Sequence, residues 1–163
     1  MLIDLQQIFE STGESQNLET TIDKSDYELF GCYPFINPIA VKGLVANKAD
    51  VVFLDVKVSF DFKLPCNRCL EDFIKSYDYS FHHILVNEPD KENDEYIALE
   101  AFKLDLDELI MSDILLNLPS KFLCKDDCKG LCEKCGANLN FTSCDCNDDN
   151  IDPRLSVLAD LLK

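Results

Sequence analysis

The sequence predicts an α+β fold, with a twisted antiparallel β-sheet carrying a long hairpin, one packed helix, a cysteine-rich segment and a C-terminal helix. Three observations predict it. In VVFLDVKVSFDFKL, Val52, Leu54, Val56, Val58, Phe60, Phe62 and Leu64 share one parity, the period-two pattern of a strand with one buried face. FIKSYDYSFHHILV repeats the alternation after a short break, with Phe73, Tyr77, Tyr79, Phe81 and Leu85 in step. Finally, CKDDCKGLCEKCGANLNFTSCDC carries six cysteines between Cys124 and Cys146.

Taken in order, LIDLQQIF suits either a strand or a short helix. Gly13 to Ser15 marks a turn, and Asn17 to Ile22 reads as a strand. Pro34 and Pro38 precede the apolar run ending at Ala46, which places that run at a sheet edge or makes Pro38 the start of a strand. Pro65 ends the alternating strand, and CNRC (Cys66 to Cys69) follows at the turn. Two alternating strands joined so closely are expected to pair antiparallel, with both cysteines at the hairpin tip. Asn87 to Glu95 is a polar loop, and Tyr96 to Phe102 reads as one more short strand.

DLDELIMSDILLNL, residues 105–118, predicts a helix. Asp105 and Glu108 have the spacing of a capping box. Leu106, Leu109, Ile110 and Ile114 form its apolar face, and Pro119 stops it. A C-terminal helix is expected over residues 152–163, with Asp152 as cap and Pro153 in the first turn. The organisation expected is a single domain over 1–163, with a β-rich core (1–118), a cysteine-rich segment (119–147) and the last helix.

The 31 acidic residues outnumber 15 basic ones, for a formal charge of −16. That balance opposes non-specific contact with phosphate backbones. It suits a solvated acidic surface or docking to a basic partner. No apolar run reaches the roughly 18 residues of a membrane span. MLIDLQQIFESTGESQ lacks the cationic and apolar regions of a secretory signal, so a cytoplasmic location is expected.

Nine cysteines in a chain read as cytoplasmic do not make a disulfide scaffold. Eight fall into four pairs: Cys66/Cys69 and Cys132/Cys135 as CxxC, Cys124/Cys128 as CxxxC, and Cys144/Cys146 as CxC. That arrangement suits two closed four-thiolate sites, with Cys32 left over as a buried thiol. Cys132, Cys135, Cys144 and Cys146 span a loop short enough to close on one ion, and Gly136 after the CxxC supplies the positive φ of a knuckle turn. Cys66 and Cys69 then join Cys124 and Cys128, stapling the cysteine-rich tail to the hairpin tip.

Structural zinc in both sites is the leading expectation, since all-cysteine ligation leaves no open position. Iron–sulfur ligation and redox dithiols remain alternatives. A divalent ion held by four thiolates carries about −2, and Arg68, Lys121, Lys125, Lys129 and Lys134 lie nearby to offset it or to touch RNA. His82 and His83 lie on opposite faces of a strand as packing or surface residues. No catalytic residues are predicted, because the chain has no nucleophile elbow, P-loop or dinucleotide fingerprint.

The ordered set CNRCLEDF, NLPSKFLC, CKDDCKGLCEKCGANLN with CDC, and IDPRLSVLADLL resembles the YceD family of large ribosomal RNA subunit accumulation proteins. The resemblance covers nearly the whole chain. It departs at Glu133, where proline is common. It implies a cytoplasmic, non-catalytic factor linked to 23S rRNA accumulation and large-subunit assembly. Family genes often lie beside that of a large-subunit ribosomal protein, and members vary in how many cysteines they keep. The partner implied is a ribosomal protein, a pre-50S particle or 23S rRNA, with no membrane and no small-molecule substrate. An RNA-binding zinc module and a processing enzyme are the alternatives.

Overall fold

The computed structural model describes residues 1–87 and 96–146. They divide into two compact units. The first comprises Met1–Leu64 and Asp72–Phe122; the second comprises Pro65–Glu71 and the chain from Leu123 onward. The expected C-terminal helix and most of the polar loop after Val86 lie outside the described residues.

The first unit is mixed α and β. Its elements are β1 (Leu2–Asp4), α1 (Gln6–Glu10), β2 (Ser15–Ile22), β3 (Ile39–Lys48), β4 (Val51–Pro65), β5 (Asp72–Val86), β6 (Tyr96–Ala98), β7 (Lys103–Asp105) and α2 (Leu106–Asn117). Five strands form one sheet in the order β2-β3-β4-β5-β6, while β1 and β7 pair separately. β2 runs antiparallel to β3, and β3 to β4. β6 lies parallel to β5, a departure from the all-antiparallel expectation. A three-residue strand is too short for its own sequence pattern to encode a direction.

β4 shows why the sheet forms. Every even-numbered side chain from Val52 to Leu64 is buried, none more than 4% exposed, and the odd-numbered ones face outward. Each such burial is worth roughly 1.5–3 kcal/mol. β5 buries less: Phe73, Tyr77, Tyr79 and Phe81 are half-buried, and Leu85 is fully buried. Their rings stack along the strand, with Tyr77 5.6 Å from Phe60 and 5.9 Å from Tyr79. β3 begins directly after Pro38 and lies inside the sheet, so that proline marks a strand start and not an edge. Ala49 and Asp50, both at positive φ, make the two-residue turn from β3 into β4.

Both readings of LIDLQQIF hold in part: β1 comes first, then α1. β1 is a strand because it pairs with β7, more than ninety residues later, a contact that local periodicity cannot reveal. Asn47, at the end of β3, is 2% exposed and donates from Nδ2 to the Ile8 carbonyl at 2.8 Å, which fixes α1. The Tyr96–Phe102 segment is a strand only as far as Ala98; Ala101 and Phe102 take positive φ on the way into β7.

α2 starts where expected. The Asp105 side chain accepts from the backbone N–H groups of Asp107 and Glu108, at 3.1 and 3.3 Å, satisfying two free donors of the first turn. The Met1 ammonium also pairs with Asp105 and Asp107. Leu106, Ile110, Met111 and Ile114 are buried and Leu109 only partly, so the apolar stripe includes Met111. No helix among the described residues is long and apolar enough to cross a membrane.

Gly43 faces Val56 across the β3–β4 ladder, and a Cβ there would lie 2.7 Å from Val56 Cγ1 and 2.9 Å from the Asp55 carbonyl. Backbone cannot yield as a side-chain tip can. Gly43→Ala is therefore expected to cost about 1–3 kcal/mol, read as a lower urea midpoint at unchanged slope.

Candidate metal centre

The second unit begins at the link between β4 and β5, which are neighbours in the sheet. Pro65 closes β4, and the next residues fold back on themselves. The Cys66 N–H donates to the Glu71 carbonyl and the Leu70 N–H to the Cys66 carbonyl, both at 2.9 Å. Leu70 takes a left-handed φ of 60° to complete the turn. The result is a knuckle that turns the Cys66 and Cys69 sulfurs to one side, with both residues buried.

The other half comes from Leu123 onward. The Cys128 N–H donates to the Lys125 carbonyl at 3.1 Å. Arg68, inside the CNRC turn, ties the two stretches together: its guanidinium donates to the Cys128 carbonyl at 2.8 Å, and its own carbonyl accepts from the Leu131 N–H at 3.2 Å. Gly130 is needed there. It has a φ of 77°, and a Cβ would sit 3.1 Å from the Arg68 carbonyl. Arg68 thus works through the backbone, whereas its sequence position pointed to charge compensation or RNA contact.

These contacts gather Cys66, Cys69, Cys124 and Cys128 so that all four sulfurs lie within 4.8 Å of one another. The Cys66–Cys128 separation is 3.8 Å and Cys69–Cys124 is 3.7 Å. A disulfide needs about 2.05 Å. Four sulfurs at about 2.3 Å from one tetrahedral ion stand roughly 3.8 Å apart, so the donor set fits a single thiophilic ion.

Cys132, Cys135, Cys144 and Cys146 make a second group under the same 4.8 Å limit. Here one stretch of chain supplies all four. The Cys132 N–H donates to the Ala137 carbonyl at 2.8 Å, and the Gly136 N–H to the Cys132 carbonyl at 2.9 Å. Gly136 has a φ of 70°, as its place after the CxxC requires. Three cysteines of the first group are buried and none of the second.

Crowded sulfurs and nearby N–H groups split the thiol acidities. Burial raises Cys66, but the backbone N–H groups of Cys124, Cys69 and Arg68 outweigh it and bring the thiol down to about 6. Cys132 also falls to about 6, chiefly through the backbone N–H groups of Cys135 and Lys134. Their neighbours move the other way. Burial and the Cys69 thiol push Cys124 up to about 12, and hydrogen bonding with Cys135 pushes Cys146 up to about 12. Cys128 is lowered, first by a hydrogen bond from Asn140. Asn140 was not visible to sequence reasoning; the polar run GANLN between the cysteines was its one signal.

Apart from Gly130, the buried residues described in the second unit are all cysteines. A bound ion would cross-link these stretches, whose described residues offer no aliphatic core. The remaining sequence candidates lie elsewhere. Cys32 is half-buried outside both groups, and its thiol donates to the Leu29 carbonyl. His82 pairs with Asp55 at 2.6 Å and His83 with Asp113 at 2.8 Å. Among the described residues, no histidine or carboxylate joins either cysteine group.

Knuckles of this kind occur in many proteins, so the comparison with known chains decides the family. The family model described as "Large ribosomal RNA subunit accumulation protein YceD" matches residues 54–162. The chain belongs to the YceD family. The matched range takes in most of β4, then β5, α2 and all eight clustered cysteines. A Bacillus subtilis relative, "Uncharacterized protein YlbN", is 30% identical over 135 residues, covering 78% of this chain and 76% of that protein. The Arabidopsis thaliana "Large ribosomal RNA subunit accumulation protein YCED homolog 1, chloroplastic" is 28% identical over 90% of this chain, which spans 54% of that protein. Its Zea mays counterpart is 42% identical over 50 residues, 30% of this chain and 17% of that protein. No solved structure matches.

The thiol acidities set a pH dependence for metal uptake by this YceD chain. At neutral pH the Cys124 and Cys146 thiols, at about 12, hold their protons, and an ion must displace them. Loading should therefore release at least one proton per group, seen as a buffer-dependent enthalpy in calorimetry. As pH falls through about 6, Cys66 and Cys132 protonate as well, so affinity is expected to weaken steadily with acid and never to strengthen.

Proposed function

We propose that this chain is a non-catalytic ribosome biogenesis factor that supports 23S rRNA accumulation and large-subunit assembly in the cytoplasm, and that it acts by binding a ribosomal protein or pre-50S particle. Membership of a family described by large ribosomal RNA subunit accumulation carries this reading. We propose further that each four-cysteine group holds one structural zinc ion, with Cys66, Cys69, Cys124 and Cys128 as one ligand set and Cys132, Cys135, Cys144 and Cys146 as the other.

Three physical points support it. Four sulfurs per ion complete a tetrahedron and leave no position for substrate or water. The 3.7 and 3.8 Å sulfur separations suit one ion between them, not a multi-iron cluster that would spread its thiolates over several metals. A formal charge of −16, made more negative by about −2 at each loaded site, favours a basic protein contact over naked rRNA. Within this reading Arg68 braces the backbone, which leaves fewer cations for phosphate contact.

The ligand assignment is tested by stoichiometry. The purified chain is expected to carry two zinc ions, and Cys69→Ser about one, with the Leu123 segment released from the β4–β5 link; an unchanged metal content would overturn this ligand set. The partner is tested by capturing complexes on the zinc-loaded full chain from growing cells. Large-subunit proteins and 23S rRNA precursors should be enriched over small-subunit proteins and 16S rRNA. Filter binding to purified 23S rRNA over a salt series separates the alternative. The acidic chain is expected to show no binding at low salt, whereas a steep salt slope would make RNA the direct partner.

A further inference from the structure

One side chain connects the two cysteine groups. Asn140 lies between Cys135 and Cys144, inside the loop that the second group closes. Yet its carboxamide serves the first group. Nδ2 donates to Cys128 Sγ at 3.3 Å, and Oδ1 accepts from the Lys129 N–H at 3.0 Å, one residue beyond that ligand. The loop holds Asn140 in place. Its N–H and Nδ2 both donate to Asn138 Oδ1, at 3.0 and 2.9 Å. Asn138 bridges to Leu131, its carbonyl accepts from the Phe141 and Thr142 N–H groups, and the Leu139 N–H reaches back to the Gly130 carbonyl at 2.9 Å.

We propose that Asn140 is a positioning residue for the first group and that, through it, metal in the second group strengthens metal binding in the first. The inference rests on the reading that both groups bind metal. An N–H donor aimed at a ligating sulfur stabilises the thiolate and fixes its direction, and partners of this kind typically contribute 10–100-fold to metal affinity. Asn140 can supply that donor only while its loop is ordered. With the second group empty, the spacer after Cys135 rests on its hydrogen bonds back to Gly130 and Leu131; with an ion bound, Cys132 and Cys135 hold one end and Cys144 and Cys146 the other. Linkage makes the effect mutual. Exposure sets the order of loss: the second group, with no buried cysteine, gives up its ion first, and the first group then weakens.

The test uses the full chain loaded with zinc, titrated against a chromophoric chelator, and the cadmium-substituted protein observed by 113Cd NMR. Cys144→Ser, which disables the second group, is expected to weaken the first by about 10–100-fold and to shift its cadmium resonance. Asn140→Ala should weaken the first group to the same level, and adding Cys144→Ser to it should change that group no further. Asn140→Asp, which keeps the acceptor for Lys129 but loses the donor to sulfur, should match Asn140→Ala. Independent, additive effects, or a first group untouched by Cys144→Ser, would overturn the coupling while leaving two bound ions intact. A wild-type chain that binds neither zinc nor cadmium would overturn the metal reading itself, and the coupling with it.

Discussion

Four sulfur atoms within 4.8 Å of one another cannot all carry charge unless a cation sits among them. At an effective dielectric of about 20, two unit charges 4 Å apart repel by roughly 4 kcal/mol, and four charges make several such pairs. Either protons or a metal must neutralise them. Without metal, the protons distribute unevenly, which is why each group holds one thiol near 6 and another near 12. Among the described residues of the second unit, the buried side chains are all cysteines. A thiophilic ion would neutralise each group and cross-link the stretches that supply it.

The first unit is organised by a different constraint. β4 buries every second side chain over its whole length, so a shift of one residue would turn Val52 through Leu64 outward. In the second unit, the N–H donors of Cys69 and Arg68 converge on Cys66 at the CNRC turn. The sulfurs of the first group come from stretches more than fifty residues apart in the chain and meet within that unit.

What could be read in advance follows from range. The β4 alternation, the α2 cap at Asp105 and the pairing of eight cysteines as CxxC, CxxxC and CxC are written in local spacing, and local spacing is what a sequence displays. The pairing of β1 with β7 and the parallel placement of β6 depend on residues distant in the chain, and three-residue strands have no period to show. The turn at Ala49–Asp50 lacks the Asn-Gly signature usual for two residues at positive φ. Within the cysteine groups, spacing pointed to the sulfurs but not to what aims them. Arg68 looked like a surface cation and Asn140 like a loop residue. Their importance lies in which carbonyl and which sulfur they reach, and composition cannot encode that.

The same geometry argues about the kind of work this family member does. A reaction centre needs an uncommitted group: an open metal position, an unpaired base or a nucleophile facing a cleft. Among the described residues, several groups that could do such work are already committed. The eight clustered sulfurs face one another, His82 and His83 are each held by a carboxylate, and Asp105 and Asp107 answer the helix and the chain terminus. The chain also carries a large surplus of carboxylates. Such a surplus has little attraction for a phosphate backbone and much for a protein rich in lysine and arginine, the composition expected of a partner that must itself bind RNA. The electrostatics therefore lean the proposed reading toward a basic protein contact and away from naked rRNA.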